Sequence, residues 1–386
     1  MDADTQPLVD LAPLVGLLAL AAVIALLPLS WWWVGQRGAD TRARLAALTA
    51  LTMFLTFDLI VFGSFTRLTD SGLGCPDWPG CYGQISPFAA RAEIRAAEAA
   101  MPTGPVTWSK AWIEMIHRYL AMTVGVLIVV MTVVAWARRR TLPFSPWWPT
   151  ATLVWVIVQG LFGKYTVTLK LYPAIVTLHL LGGLLLLALL ALQHEAFRNR
   201  ALALPAALRR GTLVVLALLV AQIALGGWVS TNYAVLACTG FPQCNGQWWP
   251  AMDTAGFAVV RPLGQTADGS MLNFEALVAI HMAHRIGALV ATAAIAWLAW
   301  RLWRSDGAVL RRFGAGLALL AALQVASGLS NVVLGWPLAA ALAHAAGAAA
   351  LVLLLVMLIA RGGLMRLQPG TGAAAAAAPV VRGGAA

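Results

Sequence analysis

Four histidines stand out by their spacing. His117 and His179 lie 62 residues apart, and His284 and His344 lie 60 apart, each inside an apolar stretch. A single histidine in a spanning helix is as readily a polar contact between helices as a ligand. Four at matching positions favour a metal. Two imidazoles facing each other across a helical bundle make the axial pair of a haem iron, and apolar helices supply the slot for the porphyrin. Zinc or copper would need further ligands at that depth, and the sequence offers few. Glu114 sits three residues before His117, on the same helix face. A carboxylate within a membrane span is costly and marks function. Beside a haem edge it could accept a proton, position a water or stabilise a developing cation. Its structural alternative is an ion pair with Arg118. The second histidine pair has no such carboxylate, because His281 takes that place. Asp58 is a further acid in mid-span, suited to a proton path or to a bond with a neighbouring helix. His194, beside Glu195, reads as an interfacial residue without a repeat counterpart.

The elements that must position these groups follow from composition. Hydrophobic residues make up 61% of the 386 positions and charged residues 11%, against roughly 25% charged in soluble domains. Mean hydropathy is +0.80, so lipid is the solvent for most of the chain. A span needs about 20 apolar residues. The apolar runs predict nine: 11–34, 46–66, 112–136, 149–168, 173–194, 212–231, 277–300, 313–334 and 338–360. The last two are separated by Gly335-Trp336-Pro337. The net charge of +11 reads as a positive-inside bias rather than a nucleic-acid surface, because the arginines sit in short loops. Arg37, Arg42 and Arg44, then Arg138 to Arg140, then Arg198, Arg200, Arg209 and Arg210, then Arg301, Arg304, Arg311 and Arg312 fall in alternate loops. Those loops face the cytoplasm, which leaves the N-terminus and two long loops, 67–111 and 232–275, in the periplasm of a bacterial inner membrane. The start, MDADTQPLVD, is acidic and unlike a targeting peptide. Counted from Trp112, Pro173, Leu277 and Leu338, the four histidines lie five to seven residues in, roughly 8–10 Å from the periplasmic end at 1.5 Å per residue.

An internal repeat organises the chain. The first long loop carries Cys75-Pro-Asp-Trp-Pro-Gly-Cys81-Tyr-Gly-Gln, and the second carries Cys238-Thr-Gly-Phe-Pro-Gln-Cys244-Asn-Gly-Gln. Gly63 and Gly226 each stand twelve residues before the first cysteine. Glu114-Met-Ile-His117-Arg118 answers His281-Met-Ala-His284-Arg285, and Gln159 and Gln324 each precede a histidine by 20 residues. The chain therefore reads as an all-α membrane protein with two tandem, pseudo-symmetric four-helix bundles and one extra N-terminal helix. Residues 1–44 hold that helix and a basic loop, 45–210 and 211–361 are the two units, and 362–386 is a low-complexity, disordered tail. The close cysteine pairs lie in loops assigned to an oxidising compartment, which favours disulfides over free thiols. Their spacing is not that of a zinc site. Arg118 and Arg285, with Lys164 and Lys170, are candidate partners for haem propionates. The alternative for the two arginines is snorkelling to headgroups.

In order and spacing, Ser71-Gly-Leu-Gly-Cys75-Pro-Asp-Trp-Pro-Gly-Cys81, Glu114-x-x-His117-Arg118 and the single histidines 179, 284 and 344 resemble the haem A synthase family across residues 45–361. The resemblance implies that the N-terminal unit binds the substrate, haem O, between His117 and His179, with Glu114 as the catalytic acid. It implies that His284 and His344 ligate a haem b cofactor and that Cys75–Cys81 and Cys238–Cys244 are loop disulfides. The implied reaction hydroxylates the C8 methyl of haem O twice, giving a gem-diol that loses water to leave a formyl group. Oxygen would come from water, which suits a carboxylate beside a carbocation. Membrane lipid is an implied partner, as are a haem O synthase and the assembly factors of the terminal oxidase. The helix at 11–34 departs from the family pattern. The rival reading is a dihaem b-type cytochrome passing electrons from quinol, which would need both histidine pairs but neither the Glu114 asymmetry nor the cysteine loops. A transporter would place its polar groups nearer the midplane.

Overall fold

The computed structural model describes residues 12–142 and 144–364. Ten α-helices run in order: α1 (Ala12–Gly35), α2 (Thr41–Leu68), α3 (Arg91–Ala100), α4 (Trp108–Ala137), α5 (Trp147–Thr168), α6 (Pro173–Arg198), α7 (Ala206–Thr231), α8 (Phe274–Trp303), α9 (Ala308–Val333) and α10 (Leu338–Ile359). Eight of them, all but α3 and α5, are long and apolar enough to cross a membrane. Nine spans are expected from the sequence, and eight such helices occur among the described residues. At 149–168 the helix forms as expected, but Gln159, Lys164 and three tryptophans reduce its apolarity. The expected tail lies, beyond residue 364, outside the described residues.

Local signals set the helix ends. Thr107 caps α4 by accepting from Lys110 N–H, and Asn273 caps α8 by accepting from Ala276 N–H. Both helices therefore begin before the apolar run does, four residues ahead of Trp112 and three ahead of Leu277. Pro173 at the first position of α6 needs no hydrogen-bond acceptor there. Within the apolar helices, buried threonines return their hydroxyls to the preceding turn. Thr49 bonds Leu45 O at 2.7 Å and Thr52 bonds Leu48 O at 2.9 Å, so neither leaves a polar atom unpaired in a lipid-like core.

Helix α2 packs on α4 and α6, and α5 on α4 and α6. Similarly, α8 packs on α7 and α9, and α10 on α9 and α7. The two sets meet where Met53, Phe57 and Ile60 of α2 contact Leu184 and Leu187 of α6, Ile223 of α7, and Ala349 and Leu353 of α10. Both cysteine loops lie at one end of the helices, here termed the loop end. Helix α1 packs along α4. Its Leu17 is buried with Cys75, Cys81 and Met115 at the loop end, and its Trp32 indole donates to Arg44 O at the opposite end (2.9 Å).

Candidate functional site

All four paired histidines lie near the loop end and keep partial exposure. His117 follows the start of α4 by nine residues and His284 that of α8 by ten; His179 and His344 each follow their helix start by six. His117 and His179 are close enough to interact electrostatically, as are His284 and His344. Each ring rests against a glycine on the neighbouring helix. A Cβ built on Gly63 would lie 2.9 Å from Cε1 of His117, on Gly226 3.0 Å from that of His284, on Gly328 3.1 Å from that of His344, and on Gly163 3.6 Å from that of His179. Three of these positions exclude any larger residue without moving the ring. Phe62 adds a ring stacked on His117, with centroids 6.3 Å apart and planes at 7°.

These features fit a bis-histidine haem site. The rings are cradled without being enclosed, and Nδ1 of both His117 and His179 is buried without a partner. Among the described residues no three His, Cys, Asp or Glu side chains converge as a metal cluster would require. Two imidazoles with no third protein ligand suit an iron whose other four ligands come from a porphyrin.

Glu114 is 4% exposed. One carboxylate oxygen accepts from Cys75 N–H at 2.7 Å, and the other pairs with Arg118 one turn on. Arg118 also donates to the loop carbonyls of Asp77 (2.9 Å), Pro79 (3.2 Å) and Gly80. Asp77 in turn accepts from Tyr82 and Gly83 N–H, both at 2.6 Å. Glu114, Arg118 and the Cys75–Cys81 loop are thus one hydrogen-bonded unit. The two disulfides form as expected, with Cα–Cα distances of 4.9 Å for Cys75–Cys81 and 4.7 Å for Cys238–Cys244.

The second loop is held differently. Arg285 donates to Cys238 O (3.1 Å), Gly240 O (3.0 Å) and Gln243 O (3.1 Å), while His281 is 4% exposed and its Nδ1 bonds Ala234 O at 3.0 Å. Arg118 and Arg285 were candidate propionate partners. In the structure Arg118 Nη1 and both terminal nitrogens of Arg285 bond loop carbonyls, while Arg118 Nη2 pairs with Glu114, so each arginine clasps its own loop. Lys164 lies 6.0 Å from the Trp78 ring centre, and Lys170 is exposed. Asp58 is exposed on α2 and bonds no neighbouring helix among the described residues. His194 bonds Ala46 O at 3.0 Å, at the end remote from the loops.

Comparison with known proteins decides between the readings these residues leave open. A family model described as a cytochrome oxidase assembly protein, COX15-CtaA, matches residues 46–356. A haem A synthase from Shewanella oneidensis is 39% identical over 311 residues, covering 79% of this chain and 92% of that one. Proteins of the same name from Paracoccus denitrificans and Allorhizobium ampelinum are 30% and 28% identical over 346 and 334 residues, each alignment covering 81% of this chain and 86% and 89% of the relatives. The chain belongs to the COX15-CtaA haem A synthase family.

Helix α1 lies outside the family match. From the sequence, Gln159, Gln324 and Gly226 read only as repeat markers, and Gln222 with Gly163, Gly182, Gly287, Gly328 and Gly347 were not singled out, although their signal was there. Gln-x-x-x-Gly occurs at 159–163, 222–226 and 324–328, and His-x-x-Gly at 179–182, 284–287 and 344–347. In each case the glutamine packs on the glycine that follows the histidine, with built Cβ distances of 1.9, 2.3 and 2.2 Å. The His117 position departs from this, with Leu59 and Leu120 in the matching places. Arg261 also went unremarked. It is 1% exposed and ties the second long loop together, donating to Asn232 Oδ1 (2.6 Å), Gly256 O (2.8 Å) and Gln265 O (3.0 Å). Its burial lowers its pKa.

Proposed function

We propose that this member of the haem A synthase family oxidises the C8 methyl of haem O to the formyl group of haem A. In this reading helices α2, α4, α5 and α6 form the first of two tandem four-helix units, with α5 as the ninth span, and α7 to α10 form the second. His117 and His179 hold the substrate. His284 and His344 hold a resident haem b. The loop end faces the periplasm of the bacterial inner membrane, and haem O arrives from a haem O synthase for delivery to terminal oxidase assembly.

The observation that carries this reading is Glu114. It is a buried carboxylate one helical turn from His117, oriented by Arg118 and by Cys75 N–H, where the second unit has His281. Two donors fix its direction and leave lone pairs on both oxygens. Such a group can take a proton from an attacking water or stabilise positive charge developing at the methyl carbon. Arg118 positions it, and the cysteine loop closes the site above it. The resident haem supplies redox capacity when bound, and the residues of the second unit hold it.

Expression with a haem O synthase, followed by extraction of non-covalent haems and their separation by chromatography with mass detection, tests this. Haem A in the extract is expected. Haem b with untouched haem O would overturn the reading in favour of a dihaem cytochrome, the role that the matched histidine pairs would also serve.

A further inference from the structure

The four histidines share a glycine cradle but not a hydrogen-bonding environment. In the second half, each Nδ1 has a polar neighbour. Ser327 Oγ lies 3.0 Å from His344 Nδ1. Its own hydrogen goes to Leu323 O at 2.7 Å, so the hydroxyl oxygen accepts from Nδ1–H and leaves Nε2 free for iron. The Gln222 amide nitrogen lies 2.9 Å from His284 Nδ1 and donates to His284 O at 3.0 Å; an NH2 group only donates, so it holds the backbone at His284 and is no acceptor for a ring N–H. Gln324 likewise donates to His344 O at 2.9 Å.

The first half lacks every one of these contacts. Nδ1 of His117 and of His179 is buried without a partner. Phe162 stands where Ser327 stands, one residue before the cradle glycine, and Leu59 stands where Gln222 stands, four residues before it. Neither can hydrogen-bond a ring. Gln159, the counterpart of Gln324, is buried with both amide atoms unpartnered. These polar contacts thus divide along the same line as Glu114 and His281.

An acceptor for the distal N–H of a ligand imidazole fixes ring orientation and raises its basicity, and its loss typically weakens metal binding by about 10–100-fold. We infer that Ser327 is a positioning residue that makes the haem of the second half a permanent group, and that Phe162 withholds the same contact so that the first half can release its haem. This rests on the proposed division of substrate and cofactor between the halves. It adds the residues that set the difference in exchange.

The test uses the full-length protein loaded with haem b and measures transfer of haem to excess apomyoglobin, together with the midpoint potential of the retained haem. The Ser327→Ala variant should lose its retained haem roughly 10–100-fold faster. Its midpoint potential should rise, because a less basic imidazole stabilises ferric iron less. Ser327→Thr keeps a hydroxyl and should stay near wild type in both readouts. In the reverse direction, Phe162→Ser should slow release from the first half. Unchanged transfer and potential in Ser327→Ala would overturn the inference, as would identical behaviour of Ser327→Ala and Ser327→Thr, since only packing would then be at stake. Neither readout needs haem A to form. A protein that makes no haem A but shifts as described refutes the proposed reaction and supports this inference; the converse result refutes this inference alone.

Discussion

Glu114 and His281 occupy the same place in the two repeats, and the loops beside them are built accordingly. In the first, the arginine four residues on bridges the acid and the loop, and Cys75 N–H bonds the acid directly. In the second, Arg285 grips its loop without touching His281, which bonds Ala234 O instead. One repeat therefore ties a buried carboxylate to its disulfide loop, and the other grips its loop without involving the residue in the matching place. A duplicated scaffold can acquire two roles through a few polar substitutions while its glycine cradles stay the same.

The sharpest way to break this comparison is at the acid itself. Glu114→Gln keeps the shape and the Cys75 contact but removes the carboxylate. Conversion of haem O should fall by about 10²–10⁴-fold, the range for a lost acid–base group, with haem content retained. His281→Gln should leave conversion within about threefold of wild type, the scatter expected of single-contact effects. Comparable losses in both would mean that the repeats are not functionally distinct. The readout is haem A formed per protein-bound haem.

The clasping arginines give the next contrast. Arg118→Ala leaves Glu114 buried without its ion partner, an arrangement that costs roughly 3–5 kcal/mol. Conversion and thermal stability should both drop. Arg285→Ala removes hydrogen bonds to three carbonyls and strands no charge, so a stability loss of about 1–3 kcal/mol is expected, with little effect on conversion. Thermal unfolding followed by circular dichroism, read beside haem A yield, separates the two. Equal loss of conversion in both variants would dissociate Arg118 from Glu114.

The disulfides extend the comparison at smaller magnitude. Each closes a short loop, its cysteines six residues apart in sequence, so each contributes about 2 kcal/mol to stability on loop-entropy grounds. Cys75→Ser/Cys81→Ser should also lower conversion, because Cys75 N–H orients Glu114. Cys238→Ser/Cys244→Ser should spare it. Measuring haem A yield at matched haem content checks this, and equal yields from both variants would sever the loop from the acid.

Much of this arrangement was legible beforehand, and the reasons are physical. Apolar runs and basic loops announce spanning helices because lipid tolerates few alternatives. The paired histidines and the cysteine loops recur because their spacing is tied to helix length, and Glu114 stands out because His281 takes its place in the second unit. What was hidden depends on side-chain direction. Arg118 reads as a propionate partner because it is basic and next to a ligand histidine, and only the fold of the 75–81 loop turns three carbonyls onto it. Asp58 reads as a candidate helix–helix bond, and α2 is rotated so as to leave it exposed. Helix α5 is diluted by Gln159 and Lys164, residues suited to a site rather than to lipid, so composition understates it. Ser327 was invisible because a serine in a helix gives no signal until its neighbour across the groove is known to be His344.

The smallest expected effect tests the cradle that both repeats share. A methyl added at Gly63 would lie 2.9 Å from His117 Cε1, and one at Gly163 3.6 Å from His179 Cε1. The first distance is below van der Waals contact and the second is an ordinary one. Gly63→Ala must therefore displace a ligand ring that Phe62 already stacks against, and a displaced ligand should weaken haem binding in the first repeat by about tenfold, equivalent to roughly 1.4 kcal/mol. Gly163→Ala should change it by less than about twofold, and the added methyl should stabilise α5 slightly, since alanine favours a helix over glycine. Haem titration of each variant, followed by the Soret band, reads both. The order matters more than the sizes: if Gly163→Ala weakens binding as much as Gly63→Ala, the glycines act through helix flexibility and not through space for the rings, and the cradle ceases to explain why the same glycines recur in both repeats.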